Sequence, residues 1–215
     1  MRQNPYEIIT TTGIVPVIKL DTPDQAIPLT TALAEGGIPI AEITFRTDAA
    51  EESIRRVAAE LPEILVGAGT VLTVDQVKRA ADAGAQFIVT PGFNPKVVTF
   101  CIDHSIPVTP GVNSPTTVEQ ALESGLTLLK FFPAEASGGI AMLKALAGPY
   151  GHVSFVPTGG VGPKNLAEYL ALRNVAAIGG SWIVPSDAIA AGDFAVVTRL
   201  SRDAIAQVKE IRGRT

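Results

Sequence analysis

Residues that commonly form disulfides or bind metals are scarce in this sequence of 215 residues. Its single cysteine, Cys101, has no partner for a disulfide within the chain. The two histidines, His104 and His152, are far apart in the sequence. We therefore expect no metal and no cofactor, and we expect Cys101 to be a small packing residue of a helical segment.

Long apolar runs and basic clusters are also missing. No stretch approaches the roughly 20 uninterrupted apolar residues of a membrane helix. Lysines and arginines are scattered and the net charge is −4, so neither nucleic acid nor an anionic membrane is favoured as a partner. The first ten residues carry neither the basic head nor the apolar core of a signal peptide. These observations predict a cytoplasmic protein that binds small molecules.

What the chain does contain is a repeated pattern. With 47% apolar residues and no linker-like segment, residues 1–215 are expected to form one domain. Short β-branched runs alternate with longer segments of helical period, as in a parallel sheet. About eight repeats predict a (β/α)₈ TIM barrel, although that fold typically has about 250 residues. An open, doubly wound sheet is the alternative. The apolar runs are residues 14–18, 40–44, 64–68, 87–90, 107–109, 128–131, 153–156 and 176–178.

The segment LLKFF, residues 128–132, places a lysine inside one of these runs. Side chains alternate across a strand, and the face toward the helices should be apolar, so Lys130 is predicted to point into the barrel. The same parity applied to IAEITFR, residues 40–46, turns Glu42 and Arg46 inward. The sequence therefore predicts a lysine, an acid and an arginine that converge inside the barrel.

A buried lysine is suited to covalent chemistry. Burial disfavours the charged ammonium, and a neutral amine can attack a ketone to give a Schiff base. Glu42 would serve as the general base, and Arg46 would hold a substrate carboxylate through charge-assisted hydrogen bonds. This set of side chains fits a 2-oxo acid substrate. Lys19 is a competing amine, but the polar loop that follows it predicts a solvated side chain.

Two pairs of glycines follow the last two predicted strands, in FVPTGGVGPKN (residues 155–165) and AIGGSW (residues 177–182). Glycine lets backbone N–H groups approach an anion, and barrels often bind phosphate at these strand ends. Thr158 and Ser181 could add hydroxyl donors. Gly162-Pro163 is expected to begin the next helix and add its dipole. Both observations favour a phosphorylated substrate.

Taken together, these motifs resemble the 2-keto-3-deoxy-6-phosphogluconate (KDPG) aldolase family, whose members often also act on 4-hydroxy-2-oxoglutarate (KHG). The likeness covers nearly the whole chain. It runs, in order, through GIVPVIKLD, AEITFRT, GAGTVLT, TPG, LLKFFPAE, GPY, FVPTGG and AIGGSWIVP. The resemblance implies a trimeric, metal-independent class I aldolase that cleaves KDPG to pyruvate and glyceraldehyde 3-phosphate, and KHG to pyruvate and glyoxylate.

The resemblance also implies roles for individual residues. It implies Lys130 as the Schiff-base residue, Glu42 as the proton acceptor, Arg46 and Thr70 as carboxylate binders, and Pro91 and Phe132 as pocket walls. It implies a phosphate region around Thr158, Gly159, Gly160, Gly180 and Ser181. One departure is Gly162, where many members carry serine.

Two other functions fit the same residues. The first is a phosphosugar isomerase or epimerase on the same barrel, in which Glu42 works in acid–base catalysis and Lys130 only neutralises charge. The second is a non-catalytic barrel that binds a phosphorylated ligand. Trp182 is interpreted as a packing residue, and Glu135 as a solvated loop residue or the start of a helix.

Overall fold

Short parallel strands alternate with helices throughout residues 4–213, which a computed structural model of the chain describes. The strands are β1 (Ile14–Ile18), β2 (Ile40–Thr44), β3 (Leu65–Gly69), β4 (Ile88–Val89), β5 (Val108–Thr109), β6 (Gly111–Val112), β7 (Leu128–Phe131), β8 (Ser154–Pro157) and β9 (Ile178–Gly180). The helices are α1 (Pro5–Thr12), α2 (Ala26–Glu35), α3 (Ala49–Glu60), α4 (Val74–Asp82), α5 (Pro95–Asp103), α6 (Pro115–Glu123), α7 (Gly139–Ala147), α8 (Leu166–Leu170), α9 (Ser186–Ala191) and α10 (Phe194–Arg212). Single 3₁₀ turns span Pro23–Gln25 and Glu135–Ser137.

The strands form two parallel sheets that curl toward each other. One sheet has the order β5-β4-β3-β2-β1-β9 and the other has the order β6-β7-β8. Two isolated parallel bridges, Phe155–Val175 and Thr158–Gly179, connect β8 to the region of β9. The predicted α/β fold with a parallel sheet is therefore confirmed.

The fifth predicted run differs from the structure. Instead of one strand at residues 107–109, the chain forms β5 and β6 on either side of Pro110. Proline has no N–H to donate to a neighbouring strand, so the ladder is interrupted there. β5 pairs with β4 on one side, and β6 pairs with β7 on the other.

The predicted amphipathic segments correspond to α2, α3, α4 and α6, and several begin at a side-chain cap. Thr73 accepts a hydrogen bond from the N–H of Gln76 at the start of α4, and Ser114 forms a capping box at the start of α6. Helices α1 and α10 lie outside the predicted repeats. Among residues 4–213, none of the helices has the length and apolar character needed to cross a membrane.

Helix α1 packs at the end of the sheets where the strands begin. The hydroxyl of Tyr6 donates to the carbonyl oxygen of Val108 at 3.1 Å and accepts from its N–H at 2.9 Å. Arg212 at the end of α10 donates to the carbonyl oxygens of Thr10 at 2.7 Å and Ala176 at 2.6 Å. These bonds hold the first and last helices against the amino-terminal ends of the strands.

Gly67 of β3 shows how tightly the interior enclosed by the strands is packed. A Cβ added at Gly67 would lie 2.3 Å from Cε1 of Phe87, a ring that is fully buried. We expect Gly67→Ala to lower the free energy of unfolding by about 1–3 kcal/mol, because the aromatic ring must move in a close-packed core.

Urea denaturation measures this change, and Gly92→Ala is the matched control because no atom lies within 4 Å of its added Cβ. The control should stay within about 0.5 kcal/mol of the wild type. If the two variants lost the same free energy of unfolding, the contact with Phe87 would not be what restricts the size of the side chain at position 67.

Candidate active site

A buried ion pair lies at the centre of the predicted site. Lys130 of β7 and Glu42 of β2 face each other across the interior, with Lys130 Nζ 3.4 Å from Glu42 Oε1. Their side chains are only 5% and 3% exposed. The helix-facing neighbours Leu129 and Phe131 are fully buried on the other face of β7. The predicted strand parity of Lys130 and Glu42 is confirmed.

Two glycines make room for this pair. A Cβ at Gly69, near the end of β3, would lie 2.3 Å from Oε1 of Glu42. Gly111 is paired with Lys130 in the sheet, and a Cβ there would lie 2.2 Å from the carbonyl oxygen of Pro91. The absence of side chains lets the Glu42 carboxylate lie close to Gly69 and lets the backbone at Pro91 approach Gly111, the strand partner of Lys130. Neither glycine was predicted to have this role, although Gly69 lies in the motif GAGTVLT.

The environment of Glu42 favours its neutral form. Burial raises the pKa of the Glu42 carboxyl above its ordinary value of 4.5, while the charge and hydrogen bond of Lys130, and then the charge of Arg46, oppose that rise. A carboxyl with a raised pKa can hold or release a proton closer to neutral pH, which is what a general base in this position requires.

Arg46 lies at the rim of the site and not inside the barrel as predicted. Strand β2 ends at Thr44 and the chain then turns, so the inward and outward alternation of the strand no longer holds at residue 46. The arginine is exposed, and its Nε donates to Oγ1 of Thr70 at 3.4 Å. Thr70 has a φ of 56°, a left-handed conformation that is uncommon for a residue other than glycine. Arg46 and Thr70 are thus brought together above the buried pair.

Phe132 forms a wall between the lysine and the glycine-rich loops. Its ring centroid is 5.4 Å from Nζ of Lys130. On its other side, a Cβ added at Gly159 would lie 3.4 Å from Cε2 of Phe132. Lys130, Phe132 and Gly159 therefore follow one another along one side of the site.

The two predicted glycine pairs lie side by side. Thr158 forms its bridge with Gly179, and a Cβ at Gly179 would lie 2.1 Å from Oγ1 of Thr158. Gly159 and Gly160 have φ values of 99° and 82°, which glycine adopts without strain. The structure therefore brings residues 158–160 next to residues 179–181.

The segment predicted to begin a helix at Gly162-Pro163 leads into α8 through one turn, in which the N–H groups of Asn165 and Leu166 donate to the carbonyl oxygen of Gly162 at 3.1 and 2.9 Å. Gly162-Pro163 lies in a turn, and α8 begins only at Leu166 and has five residues. The side chain of Asn165 holds this turn, accepting from the N–H of Gly162 at 2.9 Å and donating to the carbonyl oxygen of Gly160 at 3.2 Å. The carboxamide therefore caps this turn, because it binds the N–H of Gly162, a group that no helical hydrogen bond uses. Any anion here would therefore depend on the loop itself and not on a long helix.

Glu135 is exposed and begins the 3₁₀ turn Glu135–Ser137, as predicted, and it also has a specific partner. Its carboxylate is exposed, yet it accepts a hydrogen bond from the hydroxyl of buried Tyr169 in α8. Its N–H donates to the carbonyl oxygen of Gly159 at 3.1 Å. A Cβ at Gly160 would lie 2.5 Å from Cγ of Glu135. Glu135 thus joins the loop after Lys130 to the first glycine pair through its own N–H, and to α8 through the hydroxyl of Tyr169. Sequence spacing cannot reveal the contact with Tyr169, which is distant in the chain.

The remaining predicted residues are placed as expected. Lys19 is exposed and pairs with Asp21 at 2.7 Å, and Cys101 is fully buried in α5. Half-buried Trp182 packs over Gly180, where an added Cβ would lie 1.7 Å from the indole ring. Within the described part of the chain, no group of three or more His, Cys, Asp or Glu residues could hold a metal ion.

Comparison with known proteins agrees with this geometry. A family model described as Aldolase: KDPG and KHG aldolase matches residues 6–200. A 2-dehydro-3-deoxy-phosphogluconate aldolase of Treponema pallidum (strain Nichols) is 52% identical over 200 residues, which are 93% of this chain and 95% of the relative. The chain belongs to the KDPG and KHG aldolase family.

Other members of the KDPG and KHG aldolase family are similar over the same span. The KHG/KDPG aldolase of Escherichia coli (strain K12) is 44% identical over 202 residues, covering 94% of this chain and 95% of that protein. A KDPG aldolase from Legionella pneumophila, solved with pyruvate captured at low pH as a covalent carbinolamine intermediate, is 40% identical with a TM-score of 0.91. The match covers 94% of this chain and 98% of the solved one.

The raised pKa of Glu42 leads to a prediction for stability. The folded protein binds a proton at this carboxyl more tightly than the unfolded chain does, so its contribution to stability is largest below the unfolded pKa and is lost as pH rises through the folded pKa. The quantity to follow is the difference in the free energy of unfolding, wild type minus Glu42→Gln. We expect this difference to fall as pH rises from about 4.5.

Urea denaturation across this pH range measures the difference, and subtraction of the Gln variant removes the contribution of the other carboxyl groups. A difference that rises with pH would show that attraction to Lys130 outweighs the cost of burial.

Proposed function

We propose that the protein is a class I aldolase that cleaves KDPG to pyruvate and glyceraldehyde 3-phosphate, and KHG to pyruvate and glyoxylate. The observation that carries the proposal is the buried amine of Lys130 with the carboxylate of Glu42 at 3.4 Å. An amine in an apolar wall beside an acid–base group has what a reversible Schiff base requires. Membership of the KDPG and KHG aldolase family supports the same reaction.

Binding would begin at the rim, where the substrate carboxylate meets Arg46 and Thr70. The guanidinium provides charge-assisted hydrogen bonds, and the Thr70 hydroxyl, which accepts from Nε at 3.4 Å, orients it. With the carboxylate held there, the adjacent ketone carbon faces the interior and the amine of Lys130. Pro91 and Phe132 then form the walls that hold the ketone in position for attack.

The covalent steps follow from the Lys130–Glu42 pair. The neutral amine attacks the ketone carbon to give a carbinolamine, and its hydroxyl leaves as water with a proton from the Glu42 carboxyl, which gives a protonated imine and leaves Glu42 as the carboxylate. Glu42 takes the proton of the hydroxyl on C4, the bond between C3 and C4 breaks, and its electrons move toward the iminium to give an enamine. The aldehyde product leaves, the enamine is protonated at C3, and water hydrolyses the imine to release pyruvate and the free lysine.

The distal phosphate of KDPG would lie at the paired glycine loops. Thr158, Gly159 and Gly160 lie beside Gly180 and Ser181, and Gly159 lies next to the ring of Phe132. Backbone N–H groups of these residues and the hydroxyl of exposed Ser181 are suitable donors to phosphate oxygens, whereas the Thr158 hydroxyl donates to the carbonyl oxygen of Val156 at 3.3 Å. The order carboxylate, ketone and phosphate along the substrate then follows the order of the rim, the buried lysine and the glycine loops.

Three wider features belong to the same proposal. The two curled sheets are expected to act as one eight-stranded (β/α)₈ barrel, in which β5 and β6 are one strand interrupted at Pro110. Residues 1–215 are expected to form a single domain, which the shared cluster of buried apolar side chains supports. From the family resemblance, the protein is expected to be a metal-independent, cytoplasmic homotrimer.

Replacement of Lys130 tests the function directly. Lys130→Met keeps the length and apolar stem of the side chain but removes the amine, so pyruvate release from KDPG should fall below detection. The matched control is Lys19→Met, since Lys19 is exposed and its partner Asp21 is also exposed. It should retain wild-type kcat.

Pyruvate release is measured with KDPG and KHG side by side. A wild-type protein that binds substrate without releasing pyruvate would contradict the aldolase, as would an active Lys130→Met variant.

A second prediction concerns the phosphate loops. In Gly160→Ala, the left-handed φ of 82° is strained and the new Cβ collides with Glu135 Cγ at 2.5 Å. We expect the KM for KDPG to rise about tenfold, the effect of losing one or two hydrogen bonds to a charged group, while the KM for unphosphorylated KHG stays nearly constant.

Gly162→Ala is the matched control, because no atom lies within 4 Å of its added Cβ. Equal changes in KM for the two substrates would place the phosphate elsewhere.

A further inference from the structure

A small cavity lies beside the buried pair and is lined by four polar side chains. Lys130 and Glu42 meet Thr109 of β5 and Thr158 there, and Ile9 of α1 is among the apolar residues that complete the lining. The cavity has a volume of about 10 Å³. A buried water requires about this much room and two to four polar partners.

Thr109 is the unexplained member of this group. It is only 3% exposed, and its hydroxyl has no hydrogen-bond partner among residues 4–213. Three other buried hydroxyls share this property, but Thr30, Ser53 and Ser201 lie on helices. A buried hydroxyl without a partner is costly, so a polar ligand in the cavity is the physical solution at Thr109.

We propose that this cavity is a binding site for one water molecule, and that Thr109 is a positioning residue that holds this water against Lys130 and Glu42. The water can accept from the Thr109 hydroxyl or the Lys130 amine and donate to the Glu42 carboxylate. Thr158 lines the same space. The Thr109 hydroxyl then gains a partner, whereas Thr158 already donates to the carbonyl oxygen of Val156 at 3.3 Å and the ion pair is already hydrogen-bonded.

The catalytic consequence depends on the proposed aldolase function, whereas the water site does not. A hydrogen bond from water to the ionised Glu42 favours the form that acts as a base. The other charged groups that act on Glu42 are Lys130 from β7 and Arg46 from the rim. Loss of the water therefore makes the carboxylate harder to ionise and moves the acidic limb of the pH profile upward.

Two substitutions at Thr109 and one control test the proposal. Thr109→Val keeps the shape and removes the hydroxyl, whereas Thr109→Ser keeps the hydroxyl. Thr30→Val makes the same chemical change at an unpartnered hydroxyl of α2, far along the chain from the site. The measurement is the pH dependence of kcat/KM for pyruvate release. Thr109→Val should move the acidic limb of this profile to higher pH by about one unit, which is about a tenfold loss of kcat/KM at acidic pH. Thr109→Ser and Thr30→Val should follow the wild type.

Crystal structures of the wild type and Thr109→Val provide the second readout. The wild type should show an ordered water in the cavity within hydrogen-bond distance of Thr109 Oγ1, and the valine variant should lack it. The proposal is overturned if the wild-type cavity holds no water. It is also overturned if the acidic limb of the kcat/KM profile is the same for Thr109→Val and the wild type. If the wild type releases no pyruvate, the proposed function fails, and the crystal structures still decide whether the water site exists.

Discussion

The burial of one amine and one carboxyl group in an apolar interior is the constraint on which the rest of the structure depends. Lys130 and Glu42 are almost completely shielded from solvent and lie 3.4 Å apart. Such a pair adds little net stability, and removal of one partner typically costs about 3–5 kcal/mol. The surrounding chain accommodates it by leaving out side chains at Gly69 and Gly111, where any Cβ would displace the carboxylate or the neighbouring backbone.

The site separates covalent chemistry from substrate binding by depth. The buried pair occupies the interior, where low polarity shifts the pKa of Glu42 and strengthens electrostatic interactions. Arg46 lies at the exposed rim, where a charged carboxylate can arrive without full desolvation. Phe132 stands between the lysine and the glycine loops, and the Glu135–Tyr169 hydrogen bond connects those loops to α8. Strands thus hold Lys130 and Glu42, while Arg46 and the first glycine pair lie on the segments that follow the strands.

Much of this could be predicted because strand parity is a local rule. The alternation of LLKFF and IAEIT was enough to turn Lys130 and Glu42 inward. The parity rule failed for Arg46, because β2 ends two residues earlier, at Thr44, and the alternation of side chains does not continue through the turn that follows. Strand parity also could not show that Pro110 divides a strand. That division depends on which neighbouring strands pair with the residues on either side of the proline. Contacts such as Tyr169 with Glu135 arise only when distant segments pack together, so no local pattern encodes them.

The central claim is that Lys130 forms a covalent imine with a 2-oxo acid. Its most direct test is to treat the wild-type protein with pyruvate and sodium borohydride, digest it, and locate the modified peptide by mass spectrometry. Borohydride reduces an imine to a stable secondary amine, so the modification should be found on the peptide that contains Lys130 and at that residue alone. A protein that stays unmodified, or one that carries the adduct at another lysine such as Lys19, would contradict the account.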